Sequence, residues 1–279
     1  MKWRGRRRST NVEDRRGMRV GKAGGIGIGT IVLALIAMYF GVDPRLVMNL
    51  GSQLGGQTDT QQVDYKPTPQ EQEKVEFVRV VLADTEDVWN QEFEKYGKRY
   101  QEPRLVVFSG GVKSACGIAQ TAMGPFYCPG DQKVYIDLAF YDELKRRFKA
   151  PGDLAQAYVI AHEVGHHVQN LLGYTKKVPR GSKGADSAAV RLELQADCLA
   201  GVWVNHTQKA KKFLESGDLE EALTAASAIG DDKLQRQATG RVRPDGFTHG
   251  TSAQRQRWFS LGVKTGDIKE CDTFRAASL

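Results

Sequence analysis

Residues 160–171 read Ile-Ala-His-Glu-Val-Gly-His-His-Val-Gln-Asn-Leu, and this stretch decides how the rest of the chain is interpreted. Its apolar residues recur at the spacing of one helix face: Ile160, Val164, Val168 and Leu171. His162 and His166 lie one turn apart on nearly the opposite face, so both imidazoles can bind a single ion. Glu163 lies beside them, within reach of a water in the ion's open position. The stretch therefore predicts an HExxH metal site on an amphipathic helix.

A catalytic zinc needs a third protein ligand, with one position left for water or substrate. The pattern HExxHxxGxxH is absent, because Gln169 and Leu172 occupy the glycine and last histidine places. A glutamate on a following helix is the other common solution. Glu193 and Asp197 fit it, since a spacing of four places both carboxylates on one helix face. We expect Glu193 to bind the metal and Asp197 to accept a hydrogen bond from His162.

These residues also have simpler interpretations. If Glu193 and Asp197 had no role in a site, they would lie on a solvated helix face. Their apolar neighbours instead predict a buried helix, in which unpaired carboxylates are unfavourable. His206 and His249 are the alternative third ligands; His206 begins a polar stretch and is expected to be exposed. His249 precedes a predicted helix in a loop that is free to enter a cleft, where it could stabilise an oxyanion. His167 does not share the metal face and is expected to be structural.

The remaining elements predict many helices and a small sheet. Thr68, Pro69 and Glu71 form a helix start, and the helix should run toward Gly97. Strand patterns cover 104–108, 126–128 and 133–137. Further helices are expected over 138–149, 153–172, 186–206, 209–216, 218–238 and 252–265. The predicted class is α+β, mostly helical with a small sheet.

The formal net charge of +7 lies entirely in the first 23 residues, which hold nine basic and two acidic side chains. The rest of the chain has 31 side chains of each sign, so it has no net field to attract an anionic polymer. Nucleic-acid binding is therefore not expected.

Residues 23–42 carry no charge and are long enough to cross a bilayer as one helix. The basic residues before them predict a cytoplasmic tail over 1–22 and an exported C-terminal part. A cleaved signal peptide and a buried core helix are the alternatives, but no A-x-A site follows and core helices rarely lack polar residues for so long. A polar tether over 43–66 and a folded domain over 67–279 complete the expected organisation. Three glycines at helical spacing would allow close packing of two such membrane helices and an oligomer: Gly21, Gly25 and Gly29.

Four cysteines lie on the side expected to be exported, where disulfides persist. Of three connectivities we expect Cys116 with Cys128, which are close in sequence, and Cys198 with Cys271, which would pin the C-terminus. Four buried thiols are the alternative. A structural zinc cluster is not expected, because no CxxC pair occurs.

Several stretches together resemble the bacterial neutral zinc metallopeptidases, a membrane-anchored family within the broader gluzincin pattern. They are MKWRGRR (1–7), GPFYCPGDQKVYID (124–137), HEVGHHVQN (162–170), ELQADCLAGVW (193–203), FTHGTSAQRQRWF (247–259) and CDTF (271–274). The resemblance implies a zincin-like catalytic domain with His162, His166 and Glu193 as ligands of one zinc ion and Glu163 as base. It also implies that an edge strand beside the zinc helix pairs with extended substrate, for which Val134, Tyr135 and Ile136 are the candidates.

The expected function is hydrolysis of peptide bonds in a peptide or protein substrate, by water that the metal activates and Glu163 deprotonates. The expected location is the bacterial inner membrane, with one span, a cytoplasmic N-terminus and a periplasmic or extracellular catalytic domain. Two other functions remain open: a membrane-tethered binding or scaffold protein with a structural zinc site, and a cell-wall amide hydrolase.

Overall fold

The structure is a computed structural model, and it describes residues 1–20, 60–62, 65–120 and 124–279. Among these residues it has seven α-helices and several short strands, which confirms the predicted α+β class. Residues 23–42, the expected membrane segment, lie outside the described residues, as do Gly21, Gly25, Gly29 and most of the expected tether. In the described ranges, no helix is both long enough and apolar enough to cross a membrane.

The strands are numbered in chain order: β1 (Val12–Asp14), β2 (Met18–Val20), β3 (Thr60–Gln62), β4 (Arg104–Phe108), β5 (Gly111–Ser114), β6 (Gly117–Gln120), β7 (Phe126–Cys128) and β8 (Lys133–Asp137). The helices are α1 (Pro69–Lys95), α2 (Ala139–Arg146), α3 (Asp153–Leu171), α4 (Ala188–Lys211), α5 (Asp218–Ala228), α6 (Asp231–Thr239) and α7 (Ser252–Thr265).

The main sheet has the strand order β1-β4-β8-β7. β4 is parallel to β1 and β8, whereas β7 is antiparallel to β8. Its apolar residues pack with those of α1 and α3 in one core that buries Leu105, Ile136, Val81 and Ile160. Helix α4 packs against α3 on one side and along α7 on the other. The zinc helix predicted from the sequence, α3, therefore lies between the sheet and α4.

The substrate edge strand expected at Val134–Ile136 is an interior strand instead. Val134 pairs with Leu105 of β4 on one side and with Tyr127 of β7 on the other, and Tyr135 is likewise paired on both sides. The main-chain N–H and C=O groups of Val134 and Tyr135 are therefore used for pairing within the sheet. A run of apolar residues that are all buried is typical of an interior strand. The edge of the sheet on this side is β7.

Two helix boundaries also differ from the sequence prediction. Helix α4 continues to Lys211 through the polar stretch after His206, because His206 and Lys211 bond to carboxylates of α1. The helix expected over 218–238 is broken before Asp231 at Gly230. Gly230 has an extended backbone and packs so closely on Ser252 that a Cβ would lie 2.4 Å from the Ser252 nitrogen. The predicted capping box of Thr68 and Glu71 is confirmed.

Residues 1–20 pack against the folded domain, which differs from the tail expected over 1–22. Strand β1 extends the main sheet, and the Met1 amino group donates a hydrogen bond to Asp218 at 3.1 Å. Arginines of this segment bind carboxylates of α1: Arg6 with Asp84, Arg7 with Glu86 and Asp87, and Arg8 with Glu76. The charges of these three arginines are thus compensated within the protein.

Strands β2 and β3 lie on either side of the segment that contains residues 23–42, and they pair antiparallel. The segment between them, residues 21–59, lies outside the described residues.

Candidate metal centre

The site forms where the zinc helix α3 approaches α4. Gly165 lies at this contact, and a Cβ built on it would be 3.1 Å from the Ala196 carbonyl oxygen. The absence of a side chain at Gly165 lets the two backbones approach closely. Glu193, one turn before Ala196 on α4, thereby faces the histidines of α3.

His162, His166 and Glu193 converge as a group that can hold a metal ion, with one donor atom from each lying within 4.8 Å of the others. His162 Nε2 is 3.2 Å from Glu193 Oε2, and His166 Nε2 is 3.5 Å from Glu193 Oε1. Zinc bonds of about 2.0–2.2 Å in tetrahedral geometry place neighbouring ligand atoms roughly 3.3 Å apart. The donor types and the spacing therefore fit zinc.

Asp197 fixes the orientation of His162. The Nδ1–H of His162 donates to Asp197 Oδ1 at 2.8 Å, which leaves Nε2 directed at Glu193. Arg255 of α7 donates to both oxygens of Asp197, from Nε and Nη2, at 2.8 Å each. The hydroxyl of Tyr158 donates to Oδ1 at 2.5 Å. Asp197 is fully buried, so these donors supply the hydrogen bonds that a buried carboxylate requires.

Gln169 fixes the orientation of His166 in the same way. The Nε2 group of Gln169 donates to the Leu192 carbonyl at 2.6 Å and to Gln195 Oε1 at 3.1 Å, so its Oε1 must face His166. His166 Nδ1–H donates to that oxygen at 2.8 Å. Its Nε2 is therefore free for a metal, as in His162.

The charges in the cluster depend on each other. Burial by itself would lower the pKa of His162, but the Asp197 carboxylate outweighs it and raises that pKa to about 9. Burial would raise the pKa of Asp197, yet Arg255 and then His162 hold it below its usual range. For Glu193 too, the neighbouring His166 and His162 outweigh burial and hold its pKa well below the usual value. Both carboxylates are thus ionised at neutral pH, which favours cation binding.

Glu163 and the cluster lie in a cleft of about 490 Å³. The zinc helix provides one wall with Val159, His162 and Glu163, and the segment from Gly124 to Tyr127 provides another. Glu163 is 8% exposed, so it is shielded from bulk water but faces the cleft beside the candidate ligands.

His249 reaches the same cleft from the loop before α7. Asp231 holds this loop: its Oδ2 accepts hydrogen bonds from the backbone N–H groups of Thr248, His249 and Gly250, at 2.7 to 3.1 Å. Asp231 Oδ1 lies 3.3 Å from His249 Nδ1 and raises the pKa of His249 above its ordinary value, with a further contribution from Glu193. The His249 side chain is half exposed, so a ligand in the cleft can reach it.

The structure separates the other candidates from this cluster. His206 donates to the Gly266 carbonyl and lies 3.2 Å from Glu92, away from the site. His167 is fully buried and turned toward the sheet, where it bonds to Gln101 and Tyr127. The expected disulfide pairs are confirmed: Cys116 is bonded to Cys128, and Cys198 to Cys271. The edge-strand candidates Val134, Tyr135 and Ile136 lie in the interior strand β8.

Sequence reasoning missed Arg255, Tyr158 and Gln169. A signal for two of them was present, because Tyr158 precedes His162 by four residues and Gln169 follows His166 by three, so each shares a helix face with a ligand. Periodicity and local spacing gave no signal for Arg255, although it lies in the stretch 247–259 that carries the family resemblance, because it comes from a helix 58 residues beyond Asp197 and meets that residue through tertiary packing.

Comparison with known proteins identifies the family. A family model described as "Putative neutral zinc metallopeptidase" matches residues 1–274. "Uncharacterized protein YpfJ" of Escherichia coli (strain K12) is 50% identical over 290 residues, which cover 98% of this chain and 99% of the relative. "Uncharacterized protein Rv2575" of Mycobacterium tuberculosis (strain ATCC 25618 / H37Rv) is 47% identical over 190 residues, 64% of this chain and 65% of the relative. No solved structure matches. The chain belongs to the neutral zinc metallopeptidase family.

Proposed function

We propose that the protein is a zinc-dependent endopeptidase of the gluzincin type, in which His162, His166 and Glu193 hold one zinc ion and Glu163 is the general base. Membership of a zinc metallopeptidase family implies zinc and a peptide or protein substrate. The observation that carries the proposal is the convergence of the three donor atoms within 4.8 Å in a cleft that Glu163 also lines.

When bound, zinc supplies Lewis acidity, which acidifies water and polarises a carbonyl group. The residues of the chain provide the remaining steps. Glu163 accepts the proton of the attacking water and delivers it to the leaving amine. His249, protonated and held by Asp231, donates a hydrogen bond to the oxyanion of the tetrahedral intermediate. Arg255 and Asp197 keep His162 in the orientation that leaves Nε2 for the metal.

A binding or scaffold protein with a structural zinc site is the second candidate. Structural zinc sites normally have four protein ligands, whereas the group here has three and opens on a cleft. This favours a catalytic site. Two disulfides favour an oxidising compartment such as the periplasm as the place where the domain works.

The first experiment compares the full-length protein with its Glu163→Gln variant, which keeps the size of the side chain but removes the base. The full chain is needed because residues 1–20 are part of the folded body. We expect about one zinc per chain in both proteins, by metal analysis, and cleavage of unfolded casein by the wild type alone, with a loss of at least ~10²-fold in the variant.

The contrasting variant is Gln169→Leu on the same helix, which removes the oxygen that accepts from His166 Nδ1–H and leaves Glu163 in place. It should weaken zinc retention, whereas Glu163→Gln should not. Undiminished cleavage by the Glu163→Gln protein would refute the assignment of the base. Zinc in both proteins without cleavage in either would favour the scaffold function.

A further inference from the structure

Strand β7 is the edge of the main sheet that borders the cleft. It pairs with β8 on one side, and its residues Phe126 and Tyr127 line the cleft together with His162 and Glu163. An extended peptide can add to such an edge through main-chain hydrogen bonds. Productive pairing requires a fixed distance between β7 and the zinc helix, since the peptide is held by one and cleaved at the other.

A chain of hydrogen bonds joins these two elements. His167, which follows the ligand His166, lies 2.6 Å through Nε2 from the Gln101 carbonyl oxygen and 3.0 Å through Nδ1 from the Tyr127 hydroxyl. Asn170, on the next turn of the same helix, donates from Nδ2 to the Tyr127 hydroxyl at 3.1 Å. Tyr127 is thereby tied at its hydroxyl to two residues of α3.

The direction of each hydrogen bond in this chain is determined. The Gln101 carbonyl can only accept, so His167 Nε2 carries the proton and Nδ1 accepts from Tyr127. The Tyr127 oxygen, having donated its proton, accepts from Asn170, and Asn170 Oδ1 accepts from Thr175 at 3.1 Å. His167 is fully buried and the Tyr127 and His167 rings also make an edge contact at 5.4 Å. Such a satisfied buried chain holds one geometry.

A disulfide fastens the other end of β7. Cys128, the last residue of the strand, is bonded to Cys116 in the turn between β5 and β6. This bond fixes the strand to the neighbouring hairpin but not to the zinc helix. The Tyr127 hydroxyl therefore adds a direct hydrogen-bonded link between β7 and α3, beside the packing of the sheet on that helix.

We propose that Tyr127, His167 and Asn170 are positioning residues that hold the substrate-binding edge strand β7 at the distance from the zinc helix that an extended peptide requires. The proposal rests on the peptidase function proposed above. It gives a role to the second histidine of the His166-His167 pair, which binds no metal: it connects the metal helix to the strand that receives the substrate.

The test is Tyr127→Phe, which removes the hydroxyl and keeps the ring. The matched control is Tyr135→Phe on the adjacent strand, whose hydroxyl donates to Asp131 at 2.7 Å and does not reach the zinc helix. With an extended fluorogenic peptide, we expect Tyr127→Phe to raise KM about fivefold or more, with kcat and zinc content within about twofold of wild type. An energy of about 1 kcal/mol per hydrogen bond corresponds to such a change. Tyr135→Phe should match wild type.

Hydrogen exchange of the backbone amides of residues 126–128 separates failure of this proposal from failure of the peptidase function. If the wild type cleaves nothing, faster exchange in Tyr127→Phe than in Tyr135→Phe still supports the positioning role, while the peptidase proposal falls. Equal exchange in both variants overturns the positioning role. In an active enzyme, a fall in kcat with KM unchanged, or equal effects of the two substitutions, also overturns it.

Discussion

Arg255 and Gln169 show how single residues orient the histidines of the candidate metal site. Each residue orients one histidine. Gln169 accepts a hydrogen bond directly from His166, and Arg255 binds Asp197, which accepts a hydrogen bond from His162. Both histidines are thus held with Nε2 toward Glu193, so little reorganisation is needed when a metal binds. The same logic applies to His249, which Asp231 orients and charges.

The Asp231–His249 pair makes a prediction about pH. The Nδ1–H of His249 faces Asp231, so the ring donates to an oxyanion from Nε2, which in that tautomer carries a proton only while the ring is charged. Activity should therefore fall as pH rises through the pKa of His249. Asp231 raises that pKa, and Asp231→Asn should therefore move the alkaline fall of kcat/KM to lower pH. The measurement is the pH profile of peptide cleavage.

The neighbouring Asp232→Asn is the control for that profile. Asp232 accepts hydrogen bonds from Ser252 and lies outside the cleft lining. Its substitution should leave the alkaline fall where the wild type has it. An unchanged profile in Asp231→Asn would show that His249 is not the donor.

At the scale of elements, the close contact of α3 and α4 sets the geometry of the ligands. The histidines come from α3 and Glu193 from α4, so their separation depends on how near the two helices lie. Gly165 permits that approach at Ala196, and Gly201 permits a still closer approach of α4 to α7, where Arg255 lies. Two glycines therefore bring the three helices of the site together.

Gly165→Ala should weaken zinc binding with little loss of stability. The new methyl group would lie 3.1 Å from the Ala196 carbonyl oxygen, so the helices must separate by a few tenths of an ångström. Overpacking lowers the free energy of unfolding by roughly 1–3 kcal/mol, and replacing glycine by alanine within a helix raises it by about 0.5–1 kcal/mol. We expect the zinc dissociation constant to rise about tenfold, measured with a chelator competition assay.

Gly111→Ala is the matched control, because a Cβ there meets no neighbour closer than 3.7 Å and β5 does not line the cleft. Its zinc affinity should equal that of the wild type. If Gly165→Ala also binds zinc as tightly as wild type, the helix contact does not set the ligand geometry.

At the scale of the whole molecule, the first residues of the chain belong to the folded body. The arginines that suggested a cytoplasmic tail are bound to carboxylates of α1, and one of these, Asp84, is fully buried. Burial raises the pKa of Asp84, and Lys211 and Arg6 oppose that effect. The segment thus compensates a buried charge.

Arg6→Ala should lower the free energy of unfolding by about 2 kcal/mol or more, because it removes a cation from a buried carboxylate. Arg4→Ala makes the same change at an exposed pair with Glu73 and should cost less than about 1 kcal/mol. Denaturant unfolding of the full chain measures both. Equal stability of the two variants would contradict the packing of residues 1–20 on α1.

The sequence determined the local chemistry of this protein. Periodicity placed His162, Glu163 and His166 on one helix. The spacing of Glu193 and Asp197 predicted a second helix, and nearness in sequence favoured the Cys116–Cys128 disulfide. These features could be predicted because each depends on residues within a few turns or a short loop of one another.

The tertiary structure decided what depends on residues far apart in the chain. Arg255 reaches Asp197 from 58 residues away, and the order of strands makes β7 rather than β8 the edge. The N-terminal arginines meet their carboxylate partners 68 to 80 residues later. A basic run has the same sequence whether it forms a solvated tail or binds carboxylates of a helix. Only packing, which sets the distances between helices and strands, distinguishes the two.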